Sequence, residues 1–418
     1  MKRDRALLMK YGGLVLLGCL LLLLYGYQLQ QPSKPYYDEV HYVRFIRGLI
    51  NQNVYLKRSN VHPPLWHLMV AGCVKLFGDH SWVWRIVSLI SGIGLIGVMY
   101  PLTKQITRDS AAAGLAVFFF VFDCLAISQA RSAMMNSFML LCMMASLLFF
   151  LRAFGPDGAI NRKSYRCAGI FLGLALASKL VSLNMFLFFG VILFRECWAH
   201  KENRKIILTE SVLSFFVLPL IIFVAAHAVI PFCKDRSLVD IWKITAFHLK
   251  YNIGMRQTHG YSSHWWSWPL MFRPIWFYFK GQDWDTPMAQ ASGILGIGNP
   301  LIFWLIPLIV AYHIWQWAAR RSSASGLVLL GFFTQWLSYA LVGRLQFFHY
   351  FYNATPFVAM GLAMIVIRLW RWGSTGQWIV TIYMALVVFM FFYWYPLLTG
   401  LPVTQQFYEN HVWFRSWV

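Results

Sequence analysis

Apolar residues run along this chain in blocks rather than alternating with polar ones. A hydrocarbon core of about 30 Å needs about 20 apolar residues per helix. Candidate blocks recur near 11–29, 84–102, 111–128, 134–151, 167–179, 180–194, 206–230, 292–317, 325–342, 347–367 and 376–395. The pattern predicts an all-α bundle of about eleven transmembrane helices. The two halves of 167–194 are short and meet at Ser178-Lys179, so a re-entrant or broken helix is the alternative there. The first block is read as a retained helix rather than a signal peptide, because its apolar stretch is long and no small-residue cleavage site follows. Residues 36–50 have helical periodicity, with Val40, Phe45 and Leu49 near one stripe, and read as a short helix lying on the surface. Pro63-Pro64 fix the entry of a second interfacial helix, with Trp66 suited to the headgroup level.

Composition changes the class, not the pattern. The chain is 59% hydrophobic, 18% aromatic and 12% charged, whereas soluble domains carry about 25% charged residues. A soluble enzyme and a disordered chain are both excluded. Seven cysteines are too few for a disulfide scaffold, and a Cys73–Cys233 bridge is an option that nothing in the sequence supports.

The net charge of +21 follows the positive-inside rule. With the N-terminus in the cytoplasm, half of the Lys and Arg residues fall in short inner loops. Three longer segments then lie outside: 30–83, the aromatic-rich 231–291, and the tail 396–418. A nucleic-acid partner is not indicated, since no soluble domain presents a basic face. The chain reads as one membrane domain, 1–418, with structured outer loops.

Ionisable residues at membrane depth are costly and often functional. Asp38 and Glu39, Arg85, Asp123, Arg131, Lys179, Arg344 and His349 all fall toward the outer side. Each cation alone is also explained by snorkelling to headgroups. Asp38 and Glu39, adjacent on a helix, would project about 100° apart. One can face a cavity while the other holds the loop, although a first turn favoured by the macrodipole accounts for both equally. His62 is most simply a loop residue. In the outer loop, His259, Tyr261, His264, Trp266, Trp268 and Arg273 interleave polar groups with aromatic faces. That density suits either an interfacial belt or the stacking of sugar rings. There is no phosphate-binding glycine loop and no Gly-x-Ser-x-Gly.

Several runs, in order, resemble the protein O-mannosyltransferase family, a branch of the GT-C membrane glycosyltransferases. They are Asp38-Glu39-Val40-His41, His62-Pro63-Pro64-Leu65, Arg85, Asp123 with Ser128-Gln129-Ala130-Arg131, Ala177-Ser178-Lys179, the run from His259 through Trp266-Ser267-Trp268-Pro269 to Arg273-Pro274, and Phe348-His349-Tyr350. The tail around Tyr395-Pro396 and Trp413–Trp417 resembles bacterial members. One departure stands out. The family commonly shows Arg-x-x-Met-Leu-Asp, whereas this chain reads Arg131-Ser-Ala-Met-Met-Asn136, an amide in place of the acid.

The resemblance implies an enzyme of the cell's inner membrane, active on the extracytoplasmic face. It would move mannose with inversion from a polyprenyl-phosphate carrier to Ser or Thr hydroxyls of secreted or membrane proteins, the secretion translocon being one route of supply. Asp38 would be the general base with Glu39 supporting. Arg85, Arg131, Lys179 and Arg344 would hold the lipid phosphate. His62, Asp123, His259, Tyr261, Trp266, Trp268, Arg273 and His349 would shape the substrate pocket. No metal is carried over, and a divalent ion near Asp38 stays open. The rivals are a GT-C enzyme with another sugar or acceptor, such as aminoarabinose to lipid A, and a lipid-linked sugar transporter. A transporter should also show inner-side charged partners along a through-path.

Overall fold

The computed structural model describes residues 16–51, 61–155, 159–229, 238–254, 258–281 and 290–418; Cys233 of the suggested bridge lies outside them. In chain order the helices are α1 (Leu16–Gly26), α2 (Glu39–Ile50), α3 (Leu65–Phe77), α4 (Ser81–Thr107), α5 (Ser110–Val121), α6 (Cys124–Arg131), α7 (Asn136–Ala153), α8 (Arg162–Leu176), α9 (Met185–Ala199), α10 (Arg204–Val212), α11 (Leu218–Ala228) and α12 (Leu238–Gly254). After strands β1 (Ile275–Gly281) and β2 (Gln290–Gly296) come α13 (Pro300–Phe303), α14 (Ile306–Arg320), α15 (Ser323–Trp336), α16 (Thr355–Trp370) and α17 (Ser374–Thr399). Strand β3 (Pro402–Thr404) and α18 (Gln405–His411) close the fold.

Among the described residues, eight helical stretches are long and apolar enough to cross a membrane, or nine when the bent pair α5–α6 counts as one span. The expected spans at 11–29 and 167–179 correspond to α1 and α8, whose described lengths do not reach that standard. The count of eleven is therefore not established. The block at 292–317 also needs correcting. Its first residues belong to β2, and the helix starts only at Pro300, capped by the Asn299 side chain accepting from the Leu301 amide at 3.1 Å. The apolar run was right, but burial against a sheet and burial in lipid look alike in sequence.

Close approach of the backbones is written into small residues. Gly169 and Gly173 lie four apart on one face of α8, where a Cβ on Gly173 would come within 2.9 Å of the Pro219 backbone. This is the small-xxx-small arrangement of membrane helix pairs. The span α5–α6 breaks by 62° at Phe122-Asp123. A break inside a bundle frees backbone groups that must be satisfied within the protein. Here the Asp123 carboxylate accepts from the Leu125 amide at 3.1 Å, and the Asn299 amide donates to the carbonyls of Phe122 and Val387 at 2.9 and 3.0 Å.

At one end of the bundle the loops form a platform. Helix α2 buries Glu39, Tyr42, Val43, Phe45, Ile46 and Leu49, while Val40 is 50% exposed. The stripe expected through Val40 was one position off, because five residues advance a helix by about 140°. The sheet, in order β1-β2-β3 and antiparallel throughout, was absent from the sequence reading. It joins the aromatic loop to the chain's last segment. Trp276 donates to the Trp417 carbonyl at 2.8 Å, and Trp417 donates to the Met271 carbonyl at 2.9 Å. Helix α17 runs on to Thr399, so the tail proper begins at Gly400, which adopts the left-handed conformation (φ 76°) that ends the helix.

Candidate active site

The two adjacent acids divide as a helix requires. Glu39 is 0% exposed and takes a bidentate pair from Arg85, with Nε to Oε1 at 3.0 Å and Nη2 to Oε2 at 2.9 Å. The Ala133 amide adds a third bond at 2.7 Å. Arg85 completes its set by donating Nη1 to the Leu29 carbonyl at 2.8 Å and lying over the Tyr36 ring. Arg131 is likewise enclosed. It donates to the carbonyls of Tyr25, Tyr27, Gln28 and Thr399 at 2.6 to 3.3 Å, gathering the exit of α1 and the C-terminal end of α17, where cations are favoured. These groups form a buried latch in which carboxylate and carbonyl oxygens accept from the guanidinium Nη groups, while Arg131 Nε is left without a partner among the described residues. Asp123 is also architectural, as the cap of α6 at the broken span.

Asp38 lies on the other side of the latch. It is half-buried at the N-terminus of α2, and among the described residues its Oδ2 receives a long contact of 3.4 Å from the Tyr42 hydroxyl. Burial raises its pKa above the ordinary carboxylate value, and the charges of Lys179 and Arg344 work in the opposite direction. Lys179 sits in the break between α8 and α9, where Asn136 accepts from its Nζ at 2.7 Å. Arg344, on the loop after α15, donates to the Tyr350 hydroxyl at 2.6 Å. Both cations lie over the Tyr350 ring, at 5.6 Å for Lys179 and 5.3 Å for Arg344. His62, Lys179, Asn184, Tyr339, Arg344 and Tyr350 line a cavity of about 220 Å³. Burial, then the charge of Lys179, pushes the His62 pKa well below its usual value, so this ring is neutral.

Behind the cavity stands an aromatic wall. His349 is 2% exposed and packs between Tyr37, Phe277, Phe347 and Tyr350, with ring centres 4.6 to 5.8 Å away. His259 meets Phe347 edge-on at 5.2 Å, and its Nδ1 accepts from the Tyr261 amide at 3.1 Å. Trp268 is fully buried, donates to Ser263 at 3.0 Å, and stands edge-on to Tyr339 and Tyr350. Trp266 is 57% exposed and stacks on His264. Arg273 is half-buried beside β1. Of the predicted residues, His62, Lys179 and Arg344 line one cavity, Asp38 lies within electrostatic reach of the two cations, and His259, Trp268 and His349 belong to the aromatic cluster around Phe347 and Tyr350. It sets Glu39, Arg85, Arg131 and Asp123 into the frame. Tyr350 was quoted in a motif but given no role, although two cations lie over its ring. Among the described residues no group of three or more His, Cys, Asp or Glu is placed to hold a metal ion. A larger apolar groove of about 1050 Å³, lined by residues such as Trp198, Trp317 and Phe333, involves the opposite ends of α9 and α15 and contains no carboxylate.

A multi-pass helical bundle with a loop platform over a charged cavity is the architecture of the GT-C membrane glycosyltransferases. The chain superimposes on the S. cerevisiae protein O-mannosyltransferase Pmt1-Pmt2 complex bound to the sugar donor with a TM-score of 0.82, covering 97% of this chain and 92% of that one at 13% identity. It matches ArnT from Cupriavidus metallidurans bound to undecaprenyl phosphate at a TM-score of 0.62, over 90% and 63% of the two chains at 16% identity. At the sequence level, residues 15–233 match the family model "Dolichyl-phosphate-mannose-protein mannosyltransferase". Residues 237–417 match the "C-terminal four TMM region of protein-O-mannosyltransferase". The chain belongs to the protein O-mannosyltransferase family and is a membrane mannosyltransferase. Curated relatives include the polyprenol-phosphate-mannose–protein mannosyltransferases of Mycobacterium tuberculosis, 23% identical over 93% of this chain and 88% of the relative, and of Corynebacterium glutamicum, 25% identical over 92% and 88%.

Proposed function

We propose that this protein transfers a mannosyl group from polyprenyl-phosphate-mannose to a Ser or Thr hydroxyl of a secreted or membrane protein, on the extracytoplasmic face and with inversion. The single observation that carries the reading is a half-buried carboxylate, Asp38, within electrostatic reach of Lys179 and Arg344, two cations that line one small cavity. The acceptor hydroxyl gives its proton to Asp38 as its oxygen attacks the anomeric carbon. The bond from that carbon to the phosphate oxygen breaks, and its electron pair leaves with the polyprenyl phosphate. A diester becomes a monoester and gains negative charge. Lys179 and Arg344 meet that charge in a partly dehydrated site, where fixed cations are most effective. His349 and His259 belong to the wall that shapes the pocket, and Trp266 offers an exposed ring to the acceptor side. Glu39, Arg85 and Arg131 act through the frame that holds α2. Families matched along both halves of the chain favour a protein acceptor over lipid A.

The test is Asp38→Asn in proteoliposomes supplied with radiolabelled polyprenyl-phosphate-mannose and a Ser/Thr-rich peptide. Transfer to peptide should fall by about 10²–10⁴-fold, the range for removing a general base, while thermal stability stays at the wild-type level. Near-normal transfer would rule out Asp38 as the base.

A further inference from the structure

The residue at the family's departure point is bonded directly to Lys179, a cation that lines the cavity. Asn136 opens α7, is 6% exposed, and is held from both sides. Its Oδ1 accepts from Lys179 Nζ at 2.7 Å, and its Nδ2 donates to Gln129 Oε1 at 2.7 Å. A lysine ammonium can only donate, so the amide oxygen must face Lys179 and the NH₂ must face Gln129. Gln129 is itself fully buried on α6. The amide therefore cannot rotate without losing both bonds. Among the described residues this is the one hydrogen bond made by the Lys179 ammonium, and Lys179 lines the cavity.

We propose that Asn136 is a positioning residue that fixes the Lys179 ammonium without cancelling its charge, so that the donor's phosphate meets an undiminished cation. This rests on reading Lys179 as a phosphate partner. A carboxylate at 136 would occupy the same place and pair with the ammonium, competing with the phosphate for it. Gln129 could turn its NH₂ toward such a carboxylate, so the fold has a way to accept the change.

The experiment uses full-length protein in nanodiscs and follows two quantities: transfer kinetics, and binding of polyprenyl phosphate alone. Asn136→Asp should raise the donor KM and the polyprenyl phosphate Kd by about tenfold, the scale of one charge-assisted hydrogen bond, with the acceptor-peptide KM unchanged. Asn136→Ala, which loses the anchor but adds no charge, should raise both donor quantities by a smaller factor. In Lys179→Gln the Asn136→Asp effect should disappear, since coupled residues are not additive. Donor binding within twofold of wild type in Asn136→Asp, with Lys179→Gln impaired, would overturn the inference and leave the phosphate role of Lys179 standing. An unaffected Lys179→Gln would overturn both. Equal losses in Asn136→Ala and Asn136→Asp would make anchoring the whole effect and refute the charge argument. Should Asn136→Asp not assemble, additivity of Asn136→Ala with Lys179→Gln would refute the positioning role.

Discussion

Two clusters of opposite charge lie back to back in this protein. In one, Glu39 holds Arg85 by two bonds at 2.9 and 3.0 Å, and both side chains are 1% exposed. In the other, Asp38 lies within electrostatic reach of Lys179 and Arg344, which border a cavity. The residue types are the same, and the acids are neighbours in sequence. The difference is saturation. Glu39 and Arg85 satisfy one another and are bonded further by the Ala133 amide and the Leu29 carbonyl, whereas the Lys179 ammonium makes one side-chain hydrogen bond among the described residues and borders a cavity.

That contrast can be broken most sharply at the paired acids. Against the large loss of transfer expected of Asp38→Asn, the neighbouring Glu39→Gln should act on folding. It leaves the Arg85 guanidinium buried without its counter-charge, a change that costs about 3–5 kcal/mol. Thermal unfolding in detergent should show a large drop, with transfer lost in proportion to folded protein. Normal stability in Glu39→Gln would mean that the latch does not hold the platform.

A smaller effect is expected in the pH profile. Burial raises the Asp38 pKa, and the base works only when deprotonated. Transfer should therefore fall as pH drops through a value above the ordinary carboxylate range. Lys179 lowers that pKa, so in Lys179→Gln the acid limb of kcat/KM should move to higher pH. An unmoved limb would separate Asp38 from the cation electrostatically. The smallest change is expected at Trp266, whose ring is 57% exposed. Trp266→Ala should leave stability within about 0.5 kcal/mol, as surface positions do, and raise the peptide KM a few-fold. A donor KM that rises instead would move this ring to the lipid side.

The sequence carried the membrane class, most of the spans and the divergence of the adjacent Asp38 and Glu39 into different surroundings, because helical periodicity and charge placement are local signals. It could not separate Arg85 and Arg131 from Lys179 and Arg344. Depth along the chain says how near a cation lies to the membrane edge, not whether carbonyls from Leu29 or Thr399 await it. Asn299 had no signal for the same reason, since its partners Phe122 and Val387 are 177 and 88 residues away. The sheet was hidden because β3 is three residues long and pairs with a strand more than a hundred positions earlier. Tyr350 was visible as part of a motif, but cation placement over its face is a tertiary fact.

The grip of Arg131 on Tyr25, Tyr27, Gln28 and Thr399 has a bearing on biogenesis. A ribosome delivers the carbonyls at the start of the chain long before the one at its far end. Until α17 has been inserted, the guanidinium lacks the Thr399 carbonyl, and α1 and α17 have no common anchor at this point. Closure of this seam thus waits for α17, whose Thr399 carbonyl is the last of the four acceptors to be made.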